Sequence, residues 1–100
     1  MIDIDFNKAN AQAVVMAECA DGILQQQRKV DNLIAGIRSA WRGETSAAYL
    51  KKLEAFSDKL ETEAKRCHEM AAAFRARITS IKAAEEAVQS AIKISINTNR

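Results

Sequence analysis

Apolar residues recur through the first half of the chain at Met16, Ala20, Ile23, Val30, Ile34, Ile37 and Trp41, in alternating steps of three and four with Gln27 as the one polar interruption. Such spacing keeps every member on one side of a helix and marks a packing seam. Ala9 and Ala13 extend the row backwards. Asp5 or Asn7 offers a side-chain oxygen to the free N–H groups of a first turn, so the pattern predicts a helix over about residues 7–40. In the second half Leu53, Phe56, Leu60, Cys67, Met70 and Phe74 step in the same way, continuing through Ile78 and Ile81 to Ala84 and Val88. Glu63 is the charged interruption of this row; its carboxylate must reach the edge of the seam or find a partner, and Gln27 is expected within about a turn of it across the hairpin. Leu50, Ala64, Ala71 and Ile92 lie alongside the row, and a stripe of that width suits a helix that packs on more than one neighbour.

Between the two rows runs "SAWRGETSAAYL", Ser39 to Leu50. Gly43 has no Cβ and can adopt positive φ, which suits the end of a helix, while Thr45 or Ser46 can cap the next one. The expected layout is a turn over 41–44, a second helix over about 45–90 and a flexible tail over 91–100, where Ile92, Ile94 and Ile96 alternate with polar residues. The fold class is all-α: one domain, an antiparallel helix-turn-helix hairpin with arms on the order of 50 and 70 Å. Two isolated helices touch along a line and leave much of their apolar width in water. A second hairpin would cover that width, so the chain is expected to pair as a dimer into a four-helix bundle. Gly22 and Gly36 share a face of the first helix; close approach of a partner backbone or simple tolerance accounts for them.

The composition supports helix and little else: no proline, three glycines and five aromatics in 100 residues. A formal net charge of +2 from fifteen basic and thirteen acidic residues is too small to mark a nucleic-acid binder. Lys51, Lys52, Lys59, Lys65 and Arg66 are interleaved with Glu54, Asp58, Glu61 and Glu69, as on a solvated helix face. No apolar run is long enough to span a bilayer, and none near the N-terminus has the form of a signal peptide. Both helices are amphipathic, but bundle packing demands that equally, so membrane action is not expected.

Candidate chemistry is sparse. His68 has only Ala64, Lys65, Ala71 and Ala72 within a helical turn, so it gathers no metal site. Cys67 precedes it directly, but neighbours on a helix point about 100° apart and cannot act as nucleophile and base. Neither an enzyme nor a cofactor is expected. Folding about Gly43 brings Cys19 and Cys67 to the same height, where a disulfide would stabilise by about 4 kcal/mol in the chain-entropy model, provided the Cα atoms come within about 7 Å. Cys67 sits in its seam and Cys19 beside its own, so the alternative is two free thiols, one packed as a small hydrophobe. Trp41 suits a plug where the helices meet, and equally a surface offered to a partner.

The turn Trp41-Arg42-Gly43, near the midpoint of a hundred-residue helical chain, together with the lead-in "IDIDF", Ser46 and Tyr49, resembles the WXG family of type VII (ESX-like) secretion substrates. The resemblance implies a secreted, non-enzymatic helical hairpin, exported without a cleaved signal peptide, that pairs with itself or with a related hairpin, self-pairing being favoured. It further implies that Trp41 and Gly43 form the turn half of an export signal presented to the hexameric motor ATPase of the secretion system. Mycobacterial members of that family carry a Tyr-x-x-x-Asp/Glu pattern after the second helix, and no tyrosine follows Tyr49 here. The other half of the signal is therefore sought in residues 87–100, and its absence points to a Firmicutes-type system or to a partner that supplies it. An alternative is an intracellular adaptor or chaperone that targets a larger toxin, such as one with an LXG-like domain, for the same export.

Overall fold

A computed structural model describes residues 4–98 and contains two helices, α1 from Phe6 to Ala40 and α2 from Glu44 to Thr98. They lie against each other as a rod with extents of 86 × 16 × 16 Å. At 1.5 Å per residue α2 alone is about 82 Å long, so it sets the length of the molecule.

Each boundary has a local cause. Asp5 is the N-cap of α1: its carboxylate accepts the Lys8 N–H at 3.0 Å and its carbonyl accepts the Ala9 N–H at 2.9 Å. At the other end the Trp41 N–H still donates to the Ile37 carbonyl at 2.8 Å, but the Trp41 backbone is extended, with φ −117° and ψ 137°, and the helix stops. Gly43 has φ 127°, a region essentially reserved for glycine. Its carbonyl accepts the Ala47 N–H at 3.1 Å and the Ser46 hydroxyl at 2.8 Å. Gly43 therefore starts α2 rather than finishing α1. Thr45 and Ser46 fall inside the first turn, and the Ser46 hydroxyl bonds back to a carbonyl instead of capping an N–H.

Packing follows a heptad with an uneven distribution of size. The buried line is Ala13, Ala20 and Ile34 on α1 and Ser57, Ala64, Ala71 and Ile78 on α2, with Ser46 beside the turn. Met16, Ile23, Val30 and Ile37 of α1, and Leu53, Leu60, Cys67, Phe74 and Ile81 of α2, are only half-buried. The seam thus runs mostly through small residues, which let the two backbones approach closely, and larger side chains stand beside it. The first-half row is in place as far as Ile37. In the second half Ser57, Ala64 and Ala71 occupy the places expected for Phe56, Glu63 and Met70; Phe56 and Met70 are 50% and 59% exposed.

The expected Gln27–Glu63 contact is likewise replaced. The Gln27 side-chain amide lies 3.5 Å from the Ser57 hydroxyl, which donates to Asp31 at 2.6 Å. Glu63 is exposed and pairs within its own helix with Arg66 at 3.0 Å. The expected flexible tail is also revised: α2 continues as helix through Thr98. Each β-branched residue there costs only a few tenths of a kcal/mol in helix propensity, and no Gly or Pro breaks the ladder, so elongation continues without a new nucleation cost. Residues 99–100 of that tail, like residues 1–3 of the lead-in, lie outside the described part. Residues 86–97 are all exposed, because α1 ends before reaching their level and leaves this part of α2 as an overhang.

Candidate partner face and tryptophan turn

Two flanks border the buried line, and they differ in chemistry. Residues four after a seam position lie on one flank, and residues one before it lie on the other. On the first flank Asp31 and Arg38 follow Gln27 and Ile34, while Glu54 and His68 follow Leu50 and Ala64. Here the helices are tied by polar contacts: Arg38 pairs with Glu54, Ser57 donates to Asp31, and His68 Nε2 meets Asp21 Oδ1 at 3.1 Å.

The second flank has a different character. Leu33 precedes Ile34, and Tyr49, Phe56 and Met70 precede Leu50, Ser57 and Ala71. All four are exposed, and they border the half-buried Ile37, Leu53, Leu60 and Phe74. The result is a strip of large apolar residues along the paired part of the rod, interrupted by the exposed Gln26 and Glu63, which the same rule places on this flank. Covering it would be worth about 25 cal/mol per Å², and extended apolar strips on small soluble chains mark contact sites. Gly22 and Gly36 lie elsewhere, on the outer face of α1, where an added Cβ would meet nothing within 4 Å.

At the turn end Trp41 is 57% exposed. Because its backbone has already left the helix, its ring does not continue the stripe, and Ile37 is the last seam residue of α1; within the hairpin Trp41 is not a plug. Arg42, Gly43 and Tyr49 are exposed as well, and Ser46 is buried. Tyr49 lines a shallow depression with Thr45, Ala48 and Lys52. Both cysteines are free thiols, Cys19 exposed and Cys67 half-buried. Asp21 and His68, which the sequence reading did not join, meet across the seam because Asp21 lies on the polar flank opposite His68. Among the described residues no three His, Cys, Asp or Glu side chains group as a metal site, and no helix is long and apolar enough to cross a membrane.

A family model described as PPE family matches residues 7–100, nearly the whole chain and both helices. No curated protein and no solved structure matches. The match supports the resemblance drawn from Trp41 and Gly43 as far as association with type VII secretion and does not reach the WXG family itself. With its two long helices and this match, the chain belongs to the PPE family, a mycobacterial family associated with type VII secretion and built on an N-terminal helical domain.

Proposed function

We propose that this protein is a non-enzymatic helical hairpin exported by type VII secretion, and that it acts through pairing. A second hairpin, by preference another copy of the same chain, covers the apolar flank of Leu33, Tyr49, Phe56 and Met70 and completes a four-helix bundle. Trp41 and Gly43 then form a label at the turn for the export motor ATPase. The observation that carries the reading is the arrangement of size around the seam. Mostly small side chains fill the line between the two helices while large ones stand half exposed on one flank, an arrangement that gives the hairpin only a thin core of its own.

Two measurements test it. Sedimentation of the pure chain over a range of concentrations is expected to show a dimer, and a monomer throughout would remove self-pairing. Export of Trp41→Ala beside wild type, in a cell carrying the secretion system, tests the label: Trp41 is mostly exposed, so the variant folds, and it is expected to stay inside. Equal export of both would end the role given to the turn. Retention of both inside, with a larger toxin exported only in their presence, would favour the adaptor reading.

A further inference from the structure

The two thiols lie on the apolar side of the seam. Cys19 stands one residue before buried Ala20, and Cys67 three residues after buried Ala64, which turns both away from the flank of Arg38 and Glu54. Two cross-helix contacts fix their relative height. Asp21 meets His68 at 3.1 Å and Gln27 meets Ser57 at 3.5 Å, and a hairpin in that register sets Cys19 level with Cys67 to within a turn. The helices are close at this height because Ala20, Ala64 and Ala71, all buried, lie between them. Helix axes are typically 8–10 Å apart, nearer the short end where small residues meet, and Cα atoms sit about 2.3 Å from each axis. Cα atoms that face each other directly then fall about 3 to 5 Å apart, and Cys19, one position to the side of that line, stands about 2 Å further from Cys67, at about 5 to 7 Å, the range a disulfide spans. Cys19 is exposed, so an oxidant in solution can reach it.

We infer that Cys19 and Cys67 are a redox-sensitive pair that closes into one intrachain disulfide on exposure to a disulfide oxidant, stapling α1 to α2 at mid-rod. The inference rests on the hairpin alone and is independent of the export reading. Cys19, as thiolate, attacks one sulfur of the oxidant, forming a mixed disulfide and releasing one thiol. Cys67 then attacks the Cys19 sulfur and releases the second. Two cysteine thiols are oxidised, one external disulfide is reduced to two thiols, and the two cysteine protons end on the released thiols. The reaction belongs to the unpaired hairpin, in which Cys19 is open to solvent, and it links helices already in contact without a rearrangement of the fold.

The test uses the purified full chain with glutathione disulfide, followed by denaturation, capping with N-ethylmaleimide and mass measurement without reductant. The expected product is a monomer lighter by two hydrogens that takes up no cap, with a melting temperature raised by on the order of 10 °C. Cys67→Ser is expected to stop at one glutathione on Cys19 and to melt as the reduced protein does. Three results would each overturn the inference: two capped thiols after oxidation, a lasting glutathione adduct on wild-type Cys19, or a cross-link between two chains that persists in Cys67→Ser. Helical circular dichroism of Cys19→Ser and Cys67→Ser separates loss of the bond from loss of the fold.

Discussion

Phe56→Ala and Ala64→Leu are expected to act in opposite ways, and the contrast tests where the seam lies. Phe56 is 50% exposed, so of the roughly 3 kcal/mol that full burial of a Phe is worth, the hairpin holds about half. Truncation therefore costs the isolated hairpin about 1 to 1.5 kcal/mol. The other half is realised only when a partner covers the flank; lost from both members of a pair it amounts to about 2 to 3 kcal/mol, or roughly a 30- to 150-fold weaker association. Ala64 is 1% exposed, on the line of closest approach. Leucine adds three carbons where no space remains, and α2 cannot back away without disturbing the Ser57–Asp31 and Arg38–Glu54 contacts. The expected cost is about 1 to 3 kcal/mol to the fold itself. Unfolding in urea, followed by far-UV circular dichroism at several protein concentrations, separates the fold from the pairing, and sedimentation velocity reads the pairing directly. If Phe56→Ala cost the 3 to 5 kcal/mol typical of a core phenylalanine at every concentration, and Ala64→Leu cost nothing, the seam would run through Phe56 after all.

Other substitutions probe the turn, the outer face and the end of the seam. Gly43→Ala meets open space but must hold φ 127°; a loss of about 1 to 3 kcal/mol in urea unfolding is expected from the backbone alone, and unchanged stability would refute the strain. Gly22→Ala and Gly36→Ala are each expected to raise stability by about 0.5 to 1 kcal/mol, with sedimentation unchanged; weakened association would put the partner on the outer face of α1. Glu85 continues the buried line of α2 with one carboxylate oxygen buried and unpartnered. Glu85→Leu is expected to raise the midpoint of thermal unfolding through a gain of about 1 kcal/mol, and a lowered midpoint would mean that the carboxylate is stabilising.

Much of the fold was legible in the sequence because it rests on local signals. The period of three and four from Ala9 to Ile37 depends only on helix geometry, and Asp5 and Gly43 act through bonds within a few residues of themselves. The second row was read one position off at alternate steps, and the reason is physical. Phe56 and Met70 are the larger side chains, and a reading by hydrophobicity places the largest in the contact. Two helices that pack closely instead put small residues on the line between them, so Ser57, Ala64 and Ala71 carry the seam, although Ala64 and Ala71 looked like its flank. The strict seven-residue spacing of Leu50, Ser57, Ala64, Ala71 and Ile78 was the available signal. Ile92, Ile94 and Ile96 suggested a non-helical tail by alternation, yet alternation builds a strand only beside another strand, and among the described residues there is none.

The sequence by itself determined two amphipathic helices, a glycine-dependent turn beside a tryptophan, and more apolar width than a single hairpin contact uses. Only the tertiary structure decided which side of that width closes on itself. Arg38 meets Glu54, Ser57 meets Asp31 and His68 meets Asp21, pairs 16 to 47 positions apart, a register that neither helix specifies alone. Those contacts draw the helices together on the polar flank, and Leu33, Tyr49, Phe56 and Met70 are left in water on the other because a two-helix contact has only one line to bury.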